Sequence, residues 1–411
     1  MKKKTLIILN GNQEAFQGIK VLRKLYNIVL VDLNQNCASR KLVKNFIKAD
    51  IYKPKKVLSE VKKYFKKKKR PDGSLVLSCD AVLSMAYIND YYKLNGVNVK
   101  IAEKTNNKIS LKKFFKKNKI YSSRFWVVSK TNHIQKILNK NKDKKFILKP
   151  AVGRGARGVM FINELDFKKN FNICKSYAKK NKILMEEFIN GPQISAEAIV
   201  CNKILHLCGI SDRNYDKLNL TYPYIVEDGG ETPSKYSHLL KNKIKTLFLK
   251  ISNLLKFYNG TIKADLVLNN GKIYVVEIAL RLSGGDYSTI TIPEVYKINI
   301  INNAAKVALG EKLKITNAKL KSFKYQSNRF LFLGDGVVKK IDNLKINLLR
   351  KNKLIKKIDL NLKMRQKLSV PKNHPDRHGS VMVVTNNKNK STFLVIETVK
   401  KILKLISLKK R

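Results

Sequence analysis

The sequence has few of the features that mark secreted, membrane-spanning or zinc-binding proteins. Its five cysteines are odd in number and show no CxxC spacing, which indicates reduced thiols in a cytoplasmic protein rather than a disulfide framework. Its five histidines form no HExxH motif. No apolar run approaches the roughly 20 residues that a membrane span needs, so no transmembrane segment is expected. The apolar residues 6–9 stop at Asn10, too early for a signal peptide, and predict a first β-strand instead.

Acidic residues are also scarce. The 29 Asp and Glu stand against 86 Lys and Arg, for a formal net charge of +57. Such a surplus attracts polyanions. Between residues 339 and 367, eleven Lys or Arg face only Asp342 and Asp359, whereas between residues 261 and 290 three bases are matched by three acids. Aromatic residues are not interleaved with the basic runs as base-stacking platforms would be. We therefore interpret the excess charge as drift of the surface and expect no specific nucleic-acid partner.

The most informative segment, residues 263–286, reads KADLVLNNGKIYVVEIALRLSGGD. Asn269-Asn270-Gly271 between two alternating apolar runs predicts a β-hairpin, with Asp265 on one strand, Glu277 on the other and Arg281 just beyond. Residues on one face of adjacent strands stand close enough to share a cation. Magnesium takes one or two protein carboxylates and completes its shell with phosphate and water oxygens. A surface hairpin with solvated charges is the alternative.

A second segment is a short apolar strand that ends in Lys149 and runs into a loop with Gly153, Gly155 and Gly158. Three glycines let backbone N–H groups approach a phosphate chain, because no Cβ blocks them. Lys149 would meet the phosphates as a point charge. The segment is not a P-loop, since no Gly-Lys-Ser/Thr follows. It is not a dinucleotide fingerprint either, since that motif needs a helix after the glycines. A plain turn is the alternative.

A third segment, residues 184–200, carries Glu186 and Glu187 at the end of an apolar strand, turns at Asn190-Gly191-Pro192 and resumes as a strand. Its function is not evident from the segment alone. In this order, the three segments together resemble the ATP-grasp superfamily over about residues 104–310. The ending Glu-x-Ala-x-Arg-Leu-x-Gly-Gly-Asp is similar to the form found in the amino-acid-ligase branch.

The resemblance implies roles for individual residues. Adenine would contact the backbones of Glu187 and Ile189, and the phosphates would contact two lysines. The implied nucleotide-binding residues are Lys108, Lys149, Gly153, Gly155, Gly158, Glu186, Glu187, Ile189 and Gln193. Magnesium, or manganese in its place, would lie on Asp265 and Glu277, and Arg281 would hold the transferring phosphoryl group. Ala279 stands where the family commonly has an Asn ligand, so the metal would depend more on phosphate and water oxygens.

The implied reaction is phosphoryl transfer from ATP to a small-molecule carboxylate, giving an acyl phosphate that an amine attacks. The candidate substrate contacts are Arg213, Glu227, Ser283, Gly284, Gly285 and Asp286. Arg213 would hold a carboxylate and Glu227 an amine, unless Asp212 and Glu227 only cap turns. The alternative functions are a bicarbonate-using carboxylase or carbamoyl-phosphate-type enzyme, and a basic ATP-binding protein that has lost catalysis and associates with nucleic acid or membrane.

Alternating short strands and helices before residue 96 predict a parallel, doubly wound sheet. The resemblance then implies an α/β (α+β) chain with an ATP-grasp fold. A pre-ATP-grasp domain would span residues 1–103, an ATP-grasp domain with two nucleotide subdomains residues 104–322, and a small C-terminal α/β domain residues 323–411. A basic amphipathic helix that ends in residues 402–408 is expected at the C-terminus. A homodimer is considered as an assembly.

Overall fold

The structure of the protein is a computed structural model, and it describes residues 3–180, 182–313, 315 and 319–409. Its N-terminal region is a parallel sheet with helices on both faces. The strands are β1 (Thr5–Leu9), β2 (Asn27–Asp32), β3 (Asn45–Lys48) and β4 (Gly73–Val76). The helices are α1 (Phe16–Leu25), α2 (Pro54–Phe65), α3 (Val82–Tyr92) and α4 (Val99–Asn106). The strand order is β3-β2-β1-β4 with every pair parallel, which confirms the predicted doubly wound sheet.

Strand β1 is apolar throughout because it is covered on both faces. Successive side chains of a strand point to opposite faces. Leu6 and Ile8 accordingly pack in one core with Ile19 of α1, while Ile7 and Leu9 pack in another core beneath α2 and α3. The sheet is therefore buried, and its polar chemistry is confined to the loops at the strand ends.

A four-stranded antiparallel sheet follows, in the order β5-β8-β6-β7. Its elements are α5 (Lys108–Lys117), β5 (Phe125–Val128), α6 (Thr131–Asn139), β6 (Phe146–Pro150), β7 (Met160–Ile162), α7 (Phe167–Ala178) and β8 (Ile183–Glu187). Helix α5 begins at Lys108, because the Asn107 side chain accepts hydrogen bonds from the backbone N–H groups of Ile109 and Ser110. Lys108 is thereby fixed in the first turn of a capped helix.

The rest of the chain builds a larger antiparallel sheet. Its first elements are β9 (Gln193–Cys201), β10 (Ile204–Asn214), α8 (Leu218–Thr221), β11 (Gly229–Thr232), α9 (Ser237–Leu255), β12 (Asn259–Asn269), β13 (Lys272–Ala279), α10 (Ile292–Tyr296) and α11 (Ile300–Ala308). The later elements are β14 (Tyr325–Phe330), β15 (Gly336–Ile341), α12 (Asn343–Arg350), β16 (Ile355–Leu360), β17 (Lys367–Leu368), β18 (Gly379–Thr385), α13 (Lys388–Lys404) and β19 (Ile406–Lys409). Eight strands pair in the order β13-β12-β9-β10-β11-β14-β18-β16, and β17-β15-β19 form a separate small sheet.

The eight-stranded sheet continues across the predicted boundary between residues 322 and 323, because β14, β18 and β16 extend it beyond β11. The division into domains at residues 1–103, 104–322 and 323–411 stays a prediction. The expected basic C-terminal helix is α13, which ends at Lys404, within the expected residues 402–408; a short strand that was not expected follows it. This strand, Ile406–Lys409, pairs with β15 because that edge is otherwise open.

All five cysteines are free thiols, as the sequence predicts. Over the described residues, no helix combines the length and the apolar character that a membrane crossing requires.

Candidate active site

The predicted hairpin is formed by β12 and β13, and its two carboxylates lie opposite each other. Asp265 and Glu277 are direct partners in the antiparallel ladder. The register shifts by one residue immediately after Asp265, a bulge of the kind that re-aims side chains beside functional sites. Two acids that are twelve residues apart in the sequence therefore lie side by side on the last two strands at one edge of the sheet.

A single cavity of about 1030 Å³ collects the predicted residues. The loops after β1 and β4, the glycine-rich loop, the end of β8 and strands β9 to β14 all contribute to its lining. The predicted residues on its wall are Lys108, Lys149, Gly153, Gly155, Glu186, Glu187, Ile189, Gln193, Arg213, Glu227, Asp265, Glu277, Arg281, Ser283, Gly284, Gly285 and Asp286. Gly158 is outside this set. Its φ is +71°, and a Cβ there would lie 2.9 Å from Tyr177, so packing already requires a glycine.

Cations surround both predicted metal carboxylates. Arg213 Nη1 lies 2.8 Å from Asp265 Oδ2, and Lys263 Nζ lies 3.3 Å from Asp265 Oδ1. Lys108 Nζ lies 3.0 Å from Glu277 Oε1. Burial raises the pKa of Asp265, but Arg213 and Lys263 outweigh burial and hold that pKa well below its usual range. Asp265 is therefore ionised at neutral pH, as a metal ligand must be.

The donor set suits a metal ion that brings its own oxygen ligands. Among the described residues, no group of three or more His, Cys, Asp or Glu could form a protein cage. Ala279 lies opposite Lys263 in the ladder, so a cation faces the position where an Asn would supply a third oxygen. Two carboxylates remain, Asp265 and Glu277, which is the number that magnesium usually takes when nucleotide phosphates and water fill the rest of its shell.

Glu186 is a buried charge on the cavity wall, 2 % exposed. Its carboxylate lies 2.7 Å from Lys149 Nζ and 3.0 Å from Lys112 Nζ, and it accepts a hydrogen bond from Ser123 Oγ. Burial raises the pKa of Glu186, but the two lysines lower it to about 2. One carboxylate between two ammonium groups leaves the cluster with one net positive charge beside the cavity.

Lys112 was not predicted from the sequence, although it is 1 % exposed. The available signal was its position four residues after Lys108 on a helix, which places both side chains on one face. A lysine on the buried side of an amphipathic helix indicates a partner, and here the partner is Glu186.

The predicted adenine contacts lie at the end of β8. The backbone N–H of Glu187 donates to Arg124 O at 3.0 Å, and that of Phe188 donates to Lys145 O at 2.8 Å. No protein acceptor among the described residues takes the backbone N–H of Ile189. Ile189 is on the cavity wall, so its N–H can serve a ligand.

Arg281 is anchored to the N-terminal sheet. Its Nε and Nη2 atoms lie 2.7 and 2.6 Å from Asp80 Oδ1. Asp80 follows β4, at the carboxyl edge of the parallel sheet, where ligand-binding residues gather in open α/β folds. Burial lowers the pKa of Arg281, but Asp80 outweighs burial and raises it. Asp80 thus fixes the position of the guanidinium.

Two of the predicted substrate residues, Arg213 and Glu227, form an ion pair with each other. Arg213 Nη2 lies 2.8 Å from Glu227 Oε2, so the guanidinium bridges Glu227 and Asp265. Asp212 plays the turn-capping role considered above, since it accepts hydrogen bonds from Ser234 Oγ and from the backbone N–H of Lys235. Glu227 is part of an ion-pair network instead.

The Gly-Gly loop after Arg281 is held from several sides. Its start is fixed by Glu197, a fully buried residue that accepts from the backbone N–H of Ser283 at 3.1 Å. The N–H of Gly285 donates to Glu14 Oε2 at 2.9 Å. At its end, Asp286 Oδ2 lies 2.5 Å from Lys357 Nζ. The predicted substrate loop is therefore ordered by residues distant in sequence.

The glycine-rich loop contacts both the N-terminal and the C-terminal region of the chain. The backbone N–H of His374 donates to Gly155 O at 3.0 Å. The guanidinium of Arg154 stacks 3.4 Å above the ring of Tyr52. The loop therefore closes the cavity by contacts with both the N-terminal sheet and the C-terminal region.

Comparisons with known proteins agree with this geometry. Residues 105–285 match the model of the ATP-grasp domain. A stretch of 131 residues is 31% identical to the tyramine–L-glutamate ligase of Methanocaldococcus jannaschii, and it covers 32% of this chain and 39% of that protein. The chain thus matches well under half the length of this relative.

Solved structures are similar over the full chain. The L-amino acid ligase of Bacillus licheniformis superposes with a TM-score of 0.78 at 17% identity, with 100% of both chains covered. The N5-carboxyaminoimidazole synthetase of Staphylococcus aureus, solved with ADP, gives a TM-score of 0.73 at 17% identity and covers 97% of this chain and 98% of that one. At such identities the similarity establishes the fold. The chain therefore carries an ATP-grasp domain at residues 105–285, and the resemblance of its motifs to the ATP-grasp superfamily is confirmed.

Proposed function

We propose that the protein is an ATP-dependent carboxylate–amine ligase. It would transfer the terminal phosphoryl group of ATP to a small carboxylic acid, and an amine would then displace phosphate from the acyl phosphate to form a carbon–nitrogen bond. Two similar proteins are named as ligases, one for tyramine and L-glutamate and the other for L-amino acids. The acid and amine used by this chain are the part of the proposal that experiment must supply.

One observation carries the proposal. Asp265 and Glu277 face each other across the hairpin, in the same cavity as Arg281, Lys108 and Lys149. Two carboxylates can bind magnesium or manganese, and the three cations can bind phosphate oxygens. Phosphoryl transfer needs this combination, since catalysis consists mainly of positioning and of neutralising charge.

Each residue has a defined task in this proposal. Lys108 and Lys149 bind the phosphates of ATP, while the hinge from Glu187 to Ile189 holds the adenine. Asp265 and Glu277 would hold a metal ion, which when bound would neutralise negative charge on the phosphates. Arg281, fixed by Asp80, stabilises the charge that develops on the transferring group.

The closed glycine-rich loop serves the second step. An acyl phosphate is hydrolysed if water reaches it, so the site must exclude water until the amine attacks. Gly155 is held by His374, and Arg154 is held by Tyr52, so the loop covers the cavity from two sides. Opening of this loop would admit substrates and release products.

Trapping the acyl phosphate tests the proposal. Purified protein, magnesium-ATP and a panel of carboxylic and amino acids are incubated with hydroxylamine, a small nucleophile that captures acyl phosphates. We expect ADP release together with a hydroxamate for one class of acid. Arg281→Ala should suppress both products, whereas Arg70→Ala, at an exposed position outside the cavity, should suppress neither.

Two outcomes would reject the proposal. ADP formation that is stimulated by bicarbonate, with no hydroxamate from any acid, would assign the protein to the carboxylase or carbamoyl-phosphate type. Tight binding of ATP with no ADP release for any acid would leave a binding protein, and the missing Asn at Ala279 would be the first suspected cause.

A further inference from the structure

Most carboxylates on the cavity wall already have a cation. Eleven acidic residues line the cavity, and eight of them lie within 4.0 Å of a Lys or Arg nitrogen. Of the remaining three, Glu187 belongs to the adenine hinge, and Asp212 is satisfied by the turn that it caps. Glu14 is the third, and the function described so far gives it no role.

Glu14 lies in the loop after β1, on the side of the cavity formed by the N-terminal sheet. Among the described residues its carboxylate has one hydrogen-bond donor, the backbone N–H of Gly285 at 2.9 Å, and no cation within ion-pair distance. It also lies directly against the Gly-Gly loop, because a Cβ at Gly284 would approach Glu14 Oε2 to 2.5 Å. The glycine at 284 thus leaves space for this carboxylate.

The charged groups near Glu14 are engaged elsewhere. Lys357 is bound to Asp286 and Asp359. Arg377 stacks 3.4 Å above the ring of Phe330, and its Nε donates to a backbone carbonyl. The pKa of Glu14 is raised above its usual value, mainly by burial; Asp286 adds to the rise, while the N–H of Gly285 and the more distant Arg377 and Lys357 oppose it. A half-buried carboxylate without a counter-ion has lost part of its hydration. A cation that binds to it therefore forms a strong, charge-assisted interaction.

We propose that Glu14 is the subsite for the ammonium group of the amine substrate. The inference rests on the proposed ligase function. The reacting carboxylate of the acid substrate is excluded from this position by charge, since Glu14 and Asp286 would repel it and Arg281 would attract it. The amine therefore enters as an ammonium ion from the side of the N-terminal sheet, between the β1 loop and the Gly-Gly loop, where Gly285 holds the Glu14 carboxylate in place. Before the nitrogen attacks the acyl phosphate, the ammonium gives one proton to the Glu14 carboxylate, which leaves the free amine as the nucleophile.

Hydroxylamine allows the ammonium subsite to be tested separately from the proposed ligase function. It is mostly uncharged near pH 7.5, so its attack on the acyl phosphate needs no ammonium subsite. The acid found in the trapping assay is kept at saturation, and ethylamine, 2-phenylethylamine and glycine are tested as amines. Each amine is followed by ADP release and by its competition with hydroxylamine for hydroxamate formation.

Glu14→Gln keeps the shape of the side chain and removes its charge. For the amines that react or compete in the wild type, we expect KM or the inhibition constant to rise about tenfold to hundredfold, which is the effect of losing one charge-assisted hydrogen bond. Hydroxamate formation with hydroxylamine alone should stay at the wild-type rate. Glu164→Gln, the same change at an exposed position outside the cavity, should alter neither quantity.

Gly284→Ala tests the same carboxylate by a second route. Its new Cβ displaces the end of the Glu14 side chain while leaving the charge, so the amine constants should rise in this variant too. If the wild type forms no hydroxamate with any acid, the ligase function itself is rejected. Normal hydroxamate formation with unchanged amine constants in Glu14→Gln would reject only the ammonium subsite, as would a wild type in which none of the three amines reacts or competes.

Discussion

The cavity and the surface around it carry opposite charge balances. Eleven of the 29 acidic residues line the cavity, together with only nine of the 86 Lys and Arg. The rest of the chain therefore holds 18 acids and 77 bases. A protein of net charge +57 has a candidate active-site cavity in which acids outnumber bases. The net charge of the chain thus says little about the chemistry of its site.

The segment from residue 339 to 367 contains both kinds of charge. Ten of its eleven Lys and Arg are exposed, as expected for drift of the surface. The eleventh, Lys357, is half-buried on the cavity wall between Asp286 and Asp359. Burial separates the two groups, because a desolvated charge needs a partner while a hydrated one does not. A substitution should therefore have large effects in the cavity and small effects on the surface.

The largest expected effect comes from Glu186→Ala. The change leaves the ammonium groups of Lys112 and Lys149 buried beside each other without a counter-ion. Removing one partner of a buried ion pair costs about 3–5 kcal/mol. Urea unfolding should show a loss of that size. Glu187→Ala, the neighbouring residue without an ion pair, is the control and should lose well under half as much. Equal losses would mean that the strand, rather than the charge cluster, determines stability there.

The same cluster predicts a dependence of stability on pH. The pKa of Glu186 in the folded protein is lowered to about 2 from an ordinary value of 4.5. A lowered folded-state pKa means that its contribution to stability is fully present above about pH 4.5 and is lost as the pH falls toward 2. In Glu186→Gln this contribution is absent, so the free energy of unfolding should fall less between pH 5 and pH 3 than in the wild type. Parallel curves would contradict the assignment.

The next effect is on turnover. Glu277→Gln removes one of the two predicted metal carboxylates while the adenine hinge is untouched. We expect magnesium-dependent ADP release to fall by about a hundredfold or more, the range seen when one transition-state electrostatic contact is removed. Nucleotide binding, followed by a fluorescent ATP analogue, should survive at reduced affinity. Wild-type turnover in this variant would remove Glu277 from the metal site.

The residues that the sequence reveals are those in local motifs. Asp265, Glu277 and Arg281 are recognisable because a hairpin with an Asn-Gly turn fixes their spacing within a few residues. Their partners are not recognisable in this way. Asp80 is 201 residues from Arg281, and Glu14 is 271 residues from Gly285. Tertiary packing alone brings such pairs together, and a single sequence contains no signal for it.

The N-terminal sheet shows the same division. Its strand pattern was predictable because both faces are buried, which makes β1 and β2 continuous apolar runs. The short β3, Asn45–Lys48, has only one fully buried residue and was not predicted. The extension of the central sheet by β14, β18 and β16 was also not predictable, because strand order depends on contacts that are distant in sequence.

A smaller effect is expected from Ala279→Asn. An Asn there would offer the carboxamide oxygen that the family commonly supplies, but Lys263 lies opposite in the ladder. We expect activity to be equal or higher and the magnesium concentration for half-maximal rate to fall severalfold, since one more oxygen ligand becomes available. The double variant Ala279→Asn with Lys263→Met should lower that concentration further if the lysine competes for the site. Unfolding of Ala279→Asn would instead show that packing requires the small residue.

The smallest effect is expected on the basic surface. Lys339, Lys345, Lys351 and Lys353 are all exposed, and changing them together to Gln removes four positive charges that are not on the cavity wall. We expect unchanged ADP release and unchanged stability within about 0.5 kcal/mol, the usual range for surface substitutions. Retention on DNA or heparin should weaken at low salt, and wild-type retention should vanish near physiological salt, as non-specific binding does. Binding that persists at physiological salt in the wild type and is lost in the fourfold variant would instead reveal a specific polyanion partner, and this surface would then have a function of its own.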